Sequence, residues 1–265
     1  MPLTICTWNI NSARLREGLI LRLLREAAPD VLCLQETKSP AEKLPREGFR
    51  ALGYEIVCAR GDKGYNGVAI LSRIPLEPLA HVDFCGRGDA RHCAALTEDG
   101  IEIHNVYLPA GGDEPDRERN WKFAHKLDFV AELHAWGEER LAAAGRRPAV
   151  LVGDLNIAPG EDDVWSHKQL LNVVSHTPLE TEAFEAARAQ GGWSDVTRRH
   201  QPEGKLYSWW SYRARDWAAS DRGRRLDHVW ACPETTPRAA SSRVLKACRG
   251  WTQPSDHVPV VAVLD

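Results

Sequence analysis

Ala149-Val150-Leu151-Val152-Gly153-Asp154-Leu155-Asn156 is the stretch on which the fold turns. Its apolar start reads as a buried strand over 149–152, and the run ends in a carboxylate with an amide two residues on. The same arrangement recurs. Val31-Leu32-Cys33-Leu34-Gln35 ends in Glu36, and Ile5-Cys6-Thr7-Trp8 ends in Asn9 with Asn11 two residues on. Asp227 opens His228-Val229-Trp230-Ala231-Cys232, Asp256-His257 immediately precede an apolar run from Val258 to Leu264, and Tyr107 closes the run that begins at Ile101. If neighbouring strands share one sheet rim, these polar groups converge.

Outward from these runs, strand-length apolar segments fill the chain: 3–8, 31–34, 54–59, 68–72, 93–97, 101–107, 149–152, 226–232 and 258–264. The pair flanking Glu98-Asp99-Gly100 predicts a hairpin. Leu15, Leu19, Ile20, Leu23 and Leu24 recur at helical spacing until Ala28-Pro29-Asp30 stops them, and helices are predicted over 117–144 and 181–190. Many strands, interspersed helices and hairpins predict a layered α+β sandwich rather than an alternating parallel fold. With 265 residues, no low-complexity linker and no repeat, 1–265 reads as one domain.

A net charge of −3, from 34 basic and 37 acidic residues, excludes a simple polycation. No apolar run approaches the roughly 18 residues of a membrane span, and the start carries no secretory pattern. Seven cysteines, an odd number without a CxxC pair, fit a reducing cytoplasm.

A carboxylate set against an apolar strand is costly unless it is paired or binds a cation. Any one strand-end acid could be a cap or turn residue. Six such segments together predict a cation site. The donors are oxygens, Glu36, Asp154 and Asp256 with Asn9 and Asn156, which suits Mg²⁺ or Mn²⁺ and argues against Zn²⁺. Asp227 and His257 form a second unit, a carboxylate orienting an imidazole near neutrality. With no GxSxG motif, water beside the metal is the expected nucleophile. From 198 to 225, eight basic residues face three acids, interleaved with Tyr207, Trp209, Trp210, Tyr212 and Trp217. Such a segment suits phosphates and stacked bases or sugars.

Trp-Asn-Ile-Asn at 8–11, Leu-Gln-Glu-Thr-Lys at 34–38, Gly-Val-Ala-Ile-Leu-Ser at 67–72, Val-Gly-Asp-Leu-Asn-Ile-Ala-Pro at 152–159, Tyr-Ser-Trp-Trp-Ser-Tyr-Arg at 207–213, Arg-Leu-Asp-His at 225–228 and Ser-Asp-His-Val-Pro-Val at 255–260 resemble, in order and spacing, the exonuclease III type of AP endonuclease. That family lies within the DNase I-like endonuclease/exonuclease/phosphatase superfamily. The resemblance implies an α/β (α+β) four-layer sandwich, two mixed β-sheets packed face to face and flanked by helices. It also implies divalent-metal hydrolysis of phosphodiesters in duplex DNA, with Mg²⁺ as cofactor and Mn²⁺ as substitute.

By the same resemblance Glu36 is the principal metal ligand, assisted by Asn9 and Asp256, with Asp154, Asn156 and His257 bordering the metal. Asp154 orients or deprotonates the attacking water, Asn156 holds it and the phosphate, Tyr107 lies near the scissile phosphate, and His257 with Asp227 stabilises the pentacovalent phosphate. Trp209 and Leu226 line a pocket for a baseless sugar, and Arg213 and Arg224 join them as expected DNA contacts. The expected partner is double-stranded DNA with abasic sites or 3′ ends, met by a monomer. Ser12, Asn66 and the pair Asp221 and Arg224 depart from the family pattern. They leave open the balance among abasic-site incision, 3′→5′ exonuclease action and 3′-phosphate removal. Two other readings remain: a superfamily relative acting on inositol phosphates or sphingomyelin, and a DNA-binding relative without catalysis.

Overall fold

The structure is a computed structural model that describes residues 2–265. One sheet is built from β1 (Leu3–Asn9), β2 (Val31–Gln35), β3 (Glu55–Asp62), β4 (Tyr65–Ser72), β13 (Ala239–Val244) and β14 (Val260–Leu264), in the order β13-β14-β1-β2-β4-β3. The other contains β5 (Leu76–Leu79), β6 (His92–Thr97), β7 (Glu102–Tyr107), β8 (Ala149–Asp154), β9 (Ser194–Asp195) and β12 (Asp227–Ala231), in the order β5-β6-β7-β8-β12-β9. A small ribbon, β10 (Trp209–Trp210) with β11 (Gly223–Arg224), stands apart.

Alternation along the strands explains the layering. Ile5, Cys33, Val68 and Ile70 of the first sheet face Cys93, Ile103, Val150, Val152 and Val229 of the second, forming the central core. The opposite face of the first sheet, with Cys6, Trp8, Leu32 and Leu34, packs on Ile20, Leu23 and Leu24 of α1 (Glu17–Glu26) and Phe49 of α2 (Arg46–Arg50). The outer face of the second, with Val106, Leu151 and Trp230, packs on Phe129, Val130 and Leu133 of α3 (Trp121–Ala142). It also meets Phe184 and Ala187 of α5 (Pro178–Gln190). The result is the expected sandwich of two sheets between helices. Each aliphatic side chain buried this way contributes about 1.5–3 kcal/mol.

Three short helices, α4 (His167–Leu170), α6 (Val196–His200) and α7 (Trp217–Ser220), lie in the connections. The long helix starts at Trp121 rather than 117, because the Asn120 side chain accepts the Lys122 N–H and caps it there. α5 begins before the predicted 181, at Pro178 in the first turn, with the Glu180 carboxylate reaching back to the Thr177 N–H at 3.1 Å. The predicted hairpin is β6 with β7. All seven cysteines are free thiols, and no helix among the described residues is long and apolar enough to cross a membrane.

Candidate active site and nucleic-acid interface

Each sheet has one parallel pair near its middle, and these pairs fix where the site forms. β1 runs parallel to β2 with Asn9 beside Gln35, so Asn9 and the following Glu36 emerge at the same rim. β7 runs parallel to β8 with Tyr107 beside Asp154, while antiparallel β12 sets Asp227 directly opposite Asp154. Tyr107, Asp154 and Asp227 therefore stand side by side across the second sheet. The loop into β14 is fastened by the Ser255 hydroxyl, which donates to the Asn9 carbonyl at 2.7 Å, and by the Trp8 indole N–H on the His257 carbonyl at 3.0 Å.

Side chains then close the gap between the sheets. Asn9 Nδ2 donates to Glu36 Oε1 at 3.1 Å and to Asp154 Oδ2 at 2.8 Å, and the Tyr107 hydroxyl donates to Glu36 Oε1 at 2.7 Å. His257 Nδ1 lies 2.8 Å from Asp227 Oδ2, with Nε2 3.6 Å from Asp154 Oδ2. Asp256 accepts from Asn11 Nδ2 at 3.2 Å and from the Trp209 indole N–H at 3.0 Å. Asn156, in the left-handed region at φ 52°, donates its own N–H to Asp154 Oδ1 at 3.0 Å and its Nδ2 to the Leu108 carbonyl at 2.9 Å.

The electrostatics follow from burial and neighbours. Burial pushes the Asp154 carboxyl up, and with Asp227 and Glu36 close by it reaches about 7 in spite of His257. Burial alone would lower His257, but the Asp227 and Asp154 carboxylates raise it to about 10. Burial and the nearby Glu36 and Asp154 charges push the Tyr107 phenol well up, so it stays a neutral donor. Burial works to raise Glu36, yet the Lys38 ammonium at 2.7 Å, with the Asn9 and Tyr107 donors, holds it below the usual carboxylate range.

The donor chemistry fits a hard divalent cation. Glu36 and Asp256 are carboxylates bordering a cavity of about 740 Å³, and its lining includes Asn156 and His257 but no sulfur. Asp154, Asp227 and His257 also lie within 4.8 Å of one another. The imidazole spans the two carboxylates there, which makes that trio a proton-holding unit. The Asn9 amide oxygen accepts the Asn11 N–H at 3.1 Å, so Asn9 presents its nitrogen to Glu36 and Asp154.

Beyond the carboxylates the cavity is walled by Trp165, Trp209, Leu226 and three arginines, Arg213, Arg222 and Arg224; among the described residues these arginines form no salt bridge. Arg224 donates to the Val174 carbonyl and the Ser175 hydroxyl, at 2.9 and 2.7 Å, and its guanidinium lies 5.3 Å from the Trp209 ring centre. The basic aromatic segment expected to suit phosphates and stacked bases is only partly this wall. Trp210 and Tyr207 are buried and pack edge to face. Arg225 is buried between Asp163 and Asp195, Arg198 pairs with Asp163, and Lys205 with Asp162. The Arg225 and Arg198 pairs form a buried ion network, whereas the Lys205–Asp162 pair lies at the surface.

Sequence reasoning singled out neither Lys38 nor Lys126. Lys38 sits between Glu36 Oε2 and Asn11 Oδ1, each at 2.7 Å. Lys126 recurs at helical spacing with Phe123 and Val130, both buried, and that spacing was the available signal that it points inward.

The model of the endonuclease/exonuclease/phosphatase family matches residues 6–257. The chain is 28% identical to exodeoxyribonuclease III of Haemophilus influenzae over 97% of both chains. Its fold is similar to that of an AP endonuclease from Archaeoglobus fulgidus, with a TM-score of 0.90, 32% identity and 99% of each chain covered. It is also similar to a 3′ phosphatase from Neisseria bound to product DNA hairpin, with a TM-score of 0.89, 30% identity and 99% of each chain covered.

Proposed function

The chain belongs to the endonuclease/exonuclease/phosphatase family, and from that premise we propose that it is a divalent-metal-dependent DNA repair nuclease that incises duplex DNA at abasic sites and removes nucleotides from 3′ ends. Mg²⁺ is the proposed cation, with Mn²⁺ able to replace it, and the active unit is a monomer of one domain. The observation that carries this reading is the meeting of Asn9, Glu36 and His257 from one sheet with Tyr107, Asp154 and Asp227 from the other. Through Glu36 and His257 the cluster borders a cavity that is also lined by arginines without ion partners.

Glu36 and Asp256 would hold the cation, which when bound supplies charge neutralisation at the phosphoryl oxygens, and Asn9, expected from the sequence as a further ligand, instead orients Glu36 through its amide N–H. Asp154 accepts the proton of the attacking water. Its carboxylate is aimed by Asn9 Nδ2 and the Asn156 N–H. The His257 imidazolium, kept charged by Asp227, faces the phosphate with a proton to donate. Tyr107 and Asn156 add neutral donors, as a transition state that gathers charge on phosphoryl oxygens requires. Trp209, Leu226, Arg213 and Arg224 hold the DNA. A reading in which catalysis has been lost is disfavoured because every polar position at the rim is filled by a group that can act. Cleavage of a duplex carrying one abasic site, with Mg²⁺ and with EDTA, tests the proposal. Metal-dependent nicking at the site is expected, and an intact duplex under both conditions contradicts it.

A further inference from the structure

Behind the catalytic loop lies an ion pair that the mechanism above does not use. The side chains of Lys126 on α3 and Glu180 on α5 have no solvent exposure, and Nζ lies 2.7 Å from Oε2. The ammonium also donates to the Asn156 carbonyl at 2.8 Å and lies 3.4 Å from the Ala110 carbonyl. These carbonyls belong to the two loops, after β7 and after β8, that border the cavity. The Lys126 stem supports the first loop closely: a Cβ placed on Gly111, at φ 90°, would lie 2.8 Å from Lys126 Cδ.

Fold stability is a poor reason to keep such a pair. Desolvating two charges offsets most of their attraction, and apolar residues of similar volume often serve as well or better. The carbonyls it grips supply a better reason. Asn156 occupies a left-handed conformation that a non-glycine residue adopts at a cost, and it is fixed on three sides: by Asp154 Oδ1, by the Leu108 carbonyl, and by Lys126.

We propose that Lys126 is a positioning residue for the cleavage reaction: its ammonium, aimed by Glu180, ties the Asn156 and Ala110 carbonyls together and so fixes the Asn156 amide beside Asp154. This role rests on the nuclease reading of the cavity. Lys126 touches no substrate and acts through Asn156. A displacement of about 1 Å in a reacting constellation costs on the order of 10²-fold in rate, so the anchor acts on turnover rather than on DNA affinity.

The test is a double-mutant cycle with Lys126→Met/Glu180→Gln, Asn156→Ala and all three together; the Glu180→Gln change keeps a side-chain oxygen to accept the Thr177 N–H. Single-turnover cleavage, DNA affinity and Tm are read for each. The pair variant is expected to lose ~10–100-fold in rate while its Kd for duplex and its Tm stay near those of the wild type. In the Asn156→Ala background the same change should cost less than about 3-fold, because the path through Asn156 is already cut. An unchanged rate, or the full loss repeated in the Asn156→Ala background, overturns the inference. If the pair variant does not fold, Glu180→Gln alone runs the same cycle with the same expectations for rate and DNA affinity but with a lowered Tm, since the ammonium then stays buried without its counter-charge. Hydrogen exchange gives a readout independent of activity: amides of 110–112 and 154–158 should exchange at least ~10-fold faster in the variant, and unchanged protection overturns the inference even if the wild type proves inert on DNA. An inert wild type contradicts the nuclease reading itself.

Discussion

His257 and Asp227 come from opposite sheets, and their side chains meet at 2.8 Å across the seam between them. Asp227 opens β12, opposite Asp154 on β8, while His257 lies in the loop before β14. The contact makes the imidazole a cation at neutral pH, with its second nitrogen directed at Asp154.

The pH profile follows with a definite sign. His257 is protonated below about 10 and Asp154 is ionised above about 7, so single-turnover cleavage should rise with pH through the lower ionisation and fall through the upper. Asp227→Asn removes a negative charge that favours imidazolium, and the alkaline limb should move to lower pH by roughly 1–3 units. A limb that stays in place, with chemistry shown to be rate-limiting, would return His257 to a general-base role.

Lys38 and a divalent cation compete for the same carboxylate, since the ammonium lies 2.7 Å from Glu36 Oε2. Replacing Lys38 with Met should lower the half-saturating Mg²⁺ concentration by roughly 5-fold, through relief of like-charge repulsion. Glu36→Gln should raise it at least ~10-fold and cost at least ~10²-fold in rate, partly recovered by raised Mg²⁺ or by Mn²⁺. Isothermal titration and metal-dependent rates read both, and equal Mg²⁺ dependence in all three proteins would remove Glu36 as the ligand.

Adjacent tryptophans should separate. Trp209 borders the cavity and hydrogen-bonds Asp256, whereas Trp210 is 1% exposed and packs against Trp217. Trp209→Ala should weaken duplex binding with little change in Tm, and Trp210→Ala should destabilise the fold by about 3–5 kcal/mol. Urea unfolding and fluorescence anisotropy distinguish them, and equal destabilisation by both would deny Trp209 its place as a DNA contact.

The rim was readable because period and punctuation agree there: apolar runs end in Glu36, Asp154 and Asn9, and parallel pairing of β1 with β2 and of β7 with β8 brings such ends to one edge. The hairpin of β6 and β7 was legible from its Gly100 turn. Edge strand β13, Ala-Ala-Ser-Ser-Arg-Val, was not, because an edge exposes one side and its alternation is polar. Charge counting over 198–225 overstated the DNA surface, since composition does not reveal that Arg225 turns inward to Asp163 and Asp195. Lys126 was hidden for the opposite reason: a lysine at a core position reads as solvent-exposed until its buried partner on another helix is found.

Phosphate contacts leave their own signature in salt. Arg213 has no carboxylate partner in the described residues and lines the cavity, so Arg213→Ala should make the slope of log K against log salt shallower by roughly 0.9 per lost phosphate contact. Duplex affinity should fall while the saturated cleavage rate changes little, because such contacts act on bound substrate and transition state alike. An unchanged slope with unchanged affinity would make this segment a solvated loop.

Asp154 is the group on which the account depends most, held by Asn9, Asn156 and the His257 imidazolium at the seam of the two sheets. The most direct measurement is single-turnover cleavage of an end-labelled duplex with one abasic site by Asp154→Asn beside the wild type, at saturating protein and Mg²⁺. Loss of proton acceptance should slow the variant by about 10²–10⁴-fold while duplex binding persists. Cleavage by Asp154→Asn at the wild-type rate would contradict the assignment of this site as the place where the phosphodiester is hydrolysed.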